Sequence, residues 1–135
     1  MCIRDSYQLA PFAQTKLVRV IQGSVLDVAV DIRRGSPTFG EYIAVELSSK
    51  NKRGLLIPRG FAHAFIALEE DTIFSYKVDN YYSPKHDRGI FFLDKSLAID
   101  FPLEITQLKL SEKDLNQPKL SESNELFDYR VDYYA

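Results

Sequence analysis

The chain has no tryptophan, one cysteine and two histidines among its 135 residues. A lone Cys2 excludes an internal disulfide and fits a reducing compartment. The two histidines, His63 and His86, form no His-x-His pair. Jelly rolls that hold a metal cluster several histidines with a carboxylate, so neither a metal nor another cofactor is expected. No apolar run approaches the roughly 20 residues of a membrane helix. The start Met1-Cys2-Ile3-Arg4-Asp5-Ser6 lacks the apolar stretch of a signal peptide. A basic tract and an RNA-binding aromatic motif are also missing. With a formal net charge of -2 and a pI of about 5.7, no attraction to nucleic acid or to an anionic membrane is expected. These absences leave a soluble, cytoplasmic protein as the expectation.

What is present points to one all-β domain. A hydrophobic content of 45% suffices for a packed core at this length. Period-two patterning predicts strands over 17–21, 25–32, 42–47, 55–58, 63–68, 72–78, 90–93 and 97–101, separated by turns rich in Gly, Pro, Asn and Asp. Val28, Val30 and Ile32 share one strand face; Asp27, Ala29 and Asp31 share the other. Glu69-Glu70-Asp71 reads as the turn of a hairpin between 63–68 and 72–78. Many short strands at this spacing argue for a β-sandwich or barrel of jelly-roll type. Near the end, Ser111 with Asp114 three residues on predicts a capped helical turn. Residues 119–135 are polar with scattered aromatics, and read equally as a mobile tail or as a segment that docks on a partner.

The residues best suited to chemistry cluster in two segments, Ile57-Pro58-Arg59-Gly60-Phe61-Ala62-His63-Ala64-Phe65 and Ser75-Tyr76-Lys77 running on to Asn80-Tyr81-Tyr82-Ser83-Pro84. Histidine and tyrosine move protons near neutral pH and stack on flat rings. Taken alone, His63 reads as a satisfied structural histidine or as a functional one, and Tyr76 as core or as a general acid. The predicted hairpin would carry both to one interior face. Tyr81 and Tyr82 point oppositely if extended, one into a core and one free to stack on a ligand. Lys16 is either solvated or an oxyanion contact. Asp27 and Asp31 are either interior or solvated.

In this order the residues resemble the dTDP-4-dehydrorhamnose 3,5-epimerase family from about Tyr7 to about Leu120. The resemblance is carried by Lys16-Leu17-Val18-Arg19-Val20, Asp27-Val28-Ala29-Val30-Asp31-Ile32-Arg33 and Ser36-Pro37-Thr38-Phe39-Gly40. It continues through the two segments above, Gly89-Ile90, Ile99-Asp100-Phe101-Pro102 and Ser111-Glu112-Lys113-Asp114. It implies a metal-free, cupin-like jelly roll that forms a homodimer. It implies a substrate that is a 4-keto-6-deoxy sugar on thymidine diphosphate, with protons removed and returned at C3 and C5. Tyr76 matches the proton donor, and Lys16 the cation near the keto oxygen. His63 matches a pocket histidine and Tyr82 the ring that stacks on thymine. Asp87 and Lys113 match substrate contacts. Asp114 matches the carboxylate that orients the base.

The base itself departs from the pattern. The family places a histidine in an Arg-Gly-Leu-His-Phe/Tyr-Gln segment; here Ile3-Arg4-Asp5-Ser6-Tyr7-Gln8 stands there, with Ser6 at the base position and Ile3 at that of a phosphate-binding arginine. An unassisted hydroxyl is too weakly basic to serve. Residues 1–6 are therefore expected to be foreign sequence, 7–120 an epimerase-like domain lacking its N-terminal arm, and 121–135 a tail. A polypeptide of this kind is expected to be poorly soluble or partly folded and nearly inactive. The alternatives are a C3-only epimerase, a keto-isomerase of similar fold, and a non-catalytic jelly roll that binds a nucleotide sugar. The Asn80-Tyr81-Tyr82-Ser83-Pro84 block argues against the isomerase.

Overall fold

A computed structural model of the chain describes residues 3–102 and 107–135; Met1 and Cys2 lie outside the described residues. The strands are β1 (Ile3–Gln8), β2 (Lys16–Gln22), β3 (Ser24–Asp31), β4 (Arg33–Arg34), β5 (Tyr42–Ser48), β6 (Gly54–Ile57), β7 (Phe61–Ala67), β8 (Ile73–Val78), β9 (Asp87–Arg88) and β10 (Phe127–Asp128). A five-stranded antiparallel sheet runs in the order β5-β3-β7-β1-β9, and a three-stranded one in the order β6-β2-β8. They face one another as an all-β jelly-roll sandwich. β4 and β10 pair in parallel at the side.

β3 explains the layering. Its two faces are both buried, so each needs a cover. Val25 and Ala29 point between the sheets and pack with Val18, Val20, Leu47 and Ile57. Val28 and Val30 point the other way, with Ile32 beyond the strand, against Ile90, Phe92, Leu97, Leu120 and Phe127. The alternation read from the sequence is thus the division between two cores. Gly60, at φ +96°, makes the turn into β7, and a Cβ there would come within 2.7 Å of the Arg33 side chain. That turn sets where His63 falls on its strand.

Two readings of the sequence are corrected. First, residues 63–68 and 72–78 are not a hydrogen-bonded hairpin. β7 pairs with β3 and β1, while β8 pairs with β2 across the sandwich. Second, 90–93 and 97–101 are not strands but turns and extended coil. Their apolar residues cover the outer face of the large sheet, and covering needs burial without ladder pairing. Ile3–Ser6, where the resemblance is lost, pairs with Ile66–His63 as part of β1. The capped turn appears as expected: α1 (Glu112–Leu115) begins at Ser111, whose hydroxyl accepts from the Asp114 N–H.

The last residues dock on their own chain. Phe127 is buried, its ring 4.8 Å from that of Tyr133 at an interplanar angle of 86°. Tyr7 donates from its hydroxyl to the Glu125 carbonyl at 2.9 Å. Among the described residues the outer face of the small sheet has no such cover: Leu17, Ile21, Leu56 and Ile73 are exposed there.

Truncating Phe127 tests the docking. Phe127→Ala is expected to cost about 3–5 kcal/mol, read as a lower urea midpoint at unchanged slope. An unmoved midpoint would mean that this segment does not cover the sheet.

Candidate active site

Between the sheets lies a cavity of about 900 Å³. Each wall follows from strand alternation. On β8, Phe74, Tyr76 and Val78 share the inward face; on β7, His63 and Phe65 do; Lys16 enters from the first position of β2. Their rings form a continuous wall, with centroids 6.2 Å apart from His63 to Phe65, 4.3 Å from Phe65 to Phe74, and 6.4 Å from Phe74 to Tyr76. Tyr82, Asp87, Lys113 and Asp114 close the mouth from the loop after β8, from β9 and from α1. All seven residues singled out from the sequence (Lys16, His63, Tyr76, Tyr82, Asp87, Lys113 and Asp114) therefore line one space. A more open hollow of about 540 Å³ beside Leu26, Tyr42 and Glu46 contains none of them.

The polar groups are tied in a definite way. The His63 ring nitrogen Nε2 lies 2.8 Å from Asp27 Oδ2, and Asp27 is 0% exposed. Burial pushes the Asp27 carboxyl up from its ordinary value, and the bond to His63 opposes that shift. Asp31, on the same face, is also interior. It accepts from Arg33, Ser36 and Thr38, which hold it below the usual carboxylate range despite burial.

Lys16 is only 8% exposed, so it is not a solvated lysine. Its ammonium donates to the Ser6 carbonyl and hydroxyl, each at 3.2 Å. Burial lowers it to about 8; Asp87, Asp27 and Asp5 pull the other way. Lys113 donates to Asp87 Oδ2 at 2.6 Å. Asp114 is buried and accepts from the Ser111 hydroxyl at 2.6 Å. Tyr76 is exposed to the cavity rather than packed as core. Tyr81 and Tyr82 are 84% and 67% exposed, so neither is core, and only Tyr82 faces the cavity.

Three residues of β1 join the site without having been singled out as contacts: Asp5, Ser6 and Gln8. Burial, and then the nearby Asp114 carboxylate, push the Asp5 carboxyl up to about 8. The signal for Gln8 was available, since it stands two residues from Ser6 and shares its strand face. Phe65 and Phe74 were visible as strand residues, but nothing in a single sequence separates a cavity wall from a core. Among the described residues no group of three metal-ligating side chains occurs, and no helix is long and apolar enough to cross a membrane.

Comparison with known proteins agrees with this geometry. The family model for dTDP-4-dehydrorhamnose 3,5-epimerase matches residues 6–122. The dTDP-4-dehydrorhamnose 3,5-epimerase of Shigella flexneri is 50% identical over 118 residues, 87% of this chain and 64% of that protein. Its namesake from Sinorhizobium fredii is 50% identical over 123 residues, covering 91% and 63%. Among solved structures, the Legionella pneumophila dTDP-6-deoxy-D-glucose-3,5-epimerase in complex with dTDP-4-keto-L-rhamnose superposes with a TM-score of 0.90 at 45% identity, covering 96% of this chain and 70% of that one. The chain thus spans less than two thirds of the length of these curated relatives. Sequence match and fold agree: the chain belongs to the dTDP-4-dehydrorhamnose 3,5-epimerase family.

Proposed function

We propose that the cavity binds a thymidine diphosphate sugar of the 4-keto-6-deoxy type, and that its fold is built for epimerisation at C3 and C5, the step that yields dTDP-4-dehydro-L-rhamnose. The observation that carries this reading is the convergence of Lys16, His63, Tyr76, Tyr82, Asp87, Lys113 and Asp114 on one space. Hydrogens at C3 and C5 flank the C4 ketone, so their removal leaves an enolate. The Lys16 ammonium, held in a sheltered site, stabilises the developing oxyanion. Tyr76 returns a proton from its phenol to carbon. His63, fixed by Asp27, lines the sugar site. Tyr82 stacks on the thymine, with Asp87 and Lys113 at the polar part of the ligand. The working unit is a homodimer in the cytoplasm, with neither metal nor other cofactor in the reaction. The bare apolar face of Leu17, Ile21, Leu56 and Ile73 is consistent with a covering partner.

Ser6 supports a second reading, of binding without turnover. Its hydroxyl accepts from Lys16 and has no base of its own, so abstraction lacks the histidine that the family places there. The chain as written is proposed to keep nucleotide-sugar binding and to lose most of its proton abstraction.

Proton NMR of dTDP-4-keto-6-deoxyglucose in heavy water separates these readings. Binding without loss of the C3 and C5 signals is the expected outcome; rapid loss at both carbons would show that another group takes the proton. Loss at C3 alone would assign a C3-only epimerase. Ser6→His is then expected to raise exchange by roughly 10²–10⁴-fold, the range of one general base.

Lys16 gives a pH test whose sign is fixed. Its pKa falls on folding from 10.5 to about 8. Between these values the unfolded chain holds the extra proton, so stability rises with pH from about 8 to about 10.5. Below pH 8 the cost of burying the ammonium is fully present. Lys16→Met is therefore expected to stabilise the fold at pH 7 by about 1–3 kcal/mol in urea unfolding while abolishing exchange in the Ser6→His background. A destabilised Lys16→Met protein would mean that the ammonium is a net stabilising group.

A further inference from the structure

The loop that carries Tyr82 is pinned everywhere except at Tyr82. Asp79 accepts from the Thr15 N–H at 2.7 Å and its own N–H donates to the Thr15 carbonyl at 3.3 Å. Asn80 donates from its side chain to the Pro11 carbonyl at 3.0 Å, and its backbone carbonyl accepts from Gln14 at 2.9 Å. The Tyr81 carbonyl accepts from Gln8 Nε2 at 3.0 Å, and the Ser83 N–H donates to Gln8 Oε1 at 2.8 Å. Tyr82 itself makes no hydrogen bond among the described residues, and its ring is left free at the cavity mouth.

Gln8 is the centre of this arrangement. It is 3% exposed, and its amide grips the chain on both sides of Tyr82. Its second N–H donates to the Phe12 carbonyl at 2.7 Å. Both donors and one acceptor site are thus used, and the orientation of the amide is fixed by chemistry. Flipping it would set a carbonyl against two carbonyls and an NH2 against an N–H. A buried amide satisfied only by loop backbone has one evident consequence, the placing of that loop. The backbone of Gln8 is also opposite Asp87 in the β1–β9 pair, so one residue spans the two parts of the mouth.

We infer that Gln8 is a positioning residue for the ligand's aromatic base: by bracketing Tyr82 it holds that ring in its stacking pose before ligand arrives. This rests on the proposal that Tyr82 stacks on the nucleotide, and it extends that proposal to a residue outside the contact set. Pre-setting the ring removes an ordering cost from binding, so loss of Gln8 appears as weaker affinity for the base rather than as a lost contact to it.

The test uses the full chain with Gln8→Leu, Gln8→Glu and Tyr82→Ala, alone and combined. Two quantities are read: exchange protection of the Ser83 amide by NMR, and the Kd for thymidine diphosphate by calorimetry. Gln8→Leu is expected to strip the Ser83 protection and weaken thymidine diphosphate by on the order of tenfold, the effect of losing one or two net hydrogen bonds. Gln8→Glu keeps an acceptor for Ser83, so it retains protection there while losing the tie to Tyr81. Its affinity is expected to fall between those of the parent and Gln8→Leu. In the Tyr82→Ala background neither change is expected to weaken binding further, because the residue acts through that ring. Unchanged Ser83 protection in Gln8→Leu overturns the inference. So does an equal loss of affinity with and without Tyr82. If Gln8→Leu fails to unfold cooperatively, Gln8→Glu in the two backgrounds decides. Should Tyr82→Ala leave thymidine diphosphate binding untouched, the stacking proposal fails first, and is seen to fail separately from the role of Gln8 in holding the loop.

Discussion

A carboxylate in the middle of a sheet, with no solvent exposure, is tolerable only with a partner, and for Asp27 that partner is His63. The two are not directly opposite. Asp27 faces Phe65 and His63 faces Ala29, so the bond is diagonal across the β3–β7 pair. A slip of one residue would turn His63 to the outer face, into the apolar core against Ile90 and Phe92, and leave Asp27 buried and alone. The same bond that fixes the register therefore aims the His63 ring into the cavity. Phe65 follows on that face, and from Phe65 the aromatic wall extends across the sandwich to Phe74 and Tyr76. Breaking such a pair by removing one partner is typically far more costly than the pair is worth against an apolar replacement.

The remaining site groups are held less firmly, and the difference suits their proposed parts. Lys16, His63 and Tyr76 stand on strands, where a reacting atom needs placing to within a fraction of an ångström. Asp87 and Lys113 bind each other at the mouth, where the lysine is largely solvated and the Asp87 side chain is nearly buried. Asp114 differs again. Its N–H and carboxylate are both bound to Ser111, so it is fixed by the start of a short helix and not by the sheet.

How far this was legible in the sequence follows from what each element depends on. The strands from 16 to 78, the two-residue β4 aside, were readable because they alternate, and alternation is a local property of a half-buried sheet. Their pairing was not, because β7 and β8 lie close in sequence yet belong to different sheets, and a tight turn does not distinguish a hairpin from a crossing between layers. Residues 90–101 misled for a related reason: apolar runs report burial, and burial here comes from lying over a sheet, not within one. Lys16 looked solvated by type alone; only the fold shows it enclosed. The seven candidate residues that line the cavity were singled out through their collinear match to a family, not through spacing, since they come from five separate elements and a loop. Gln8 could be placed on the face of Ser6 by alternation, but its hold on the loop could not be read, because its partners are backbone atoms, which leave no mark on side-chain pattern.

On the proposed reading, serine at position 6 acts on one part of this system only. Proposed binding contacts come from Tyr82, Asp87 and Lys113, all remote from the Ser6 side chain in sequence and on other elements, whereas abstraction needs a group whose pKa approaches the operating pH. A hydroxyl falls short of that by many powers of ten in acidity, so its effect belongs to the rate of the chemical step. The structure also gives Ser6 something else to do. As an acceptor for Lys16, it helps to hold a buried ammonium that would otherwise have still fewer partners. A histidine at this point would take away that hydroxyl acceptor while leaving the backbone carbonyl in place. The cation proposed to stabilise the enolate would then be tethered on one side only, and freer to turn toward the ligand's keto oxygen. On the proposed reading the serine joins two consequences: it offers no proton acceptor, and it ties the Lys16 cation to the protein.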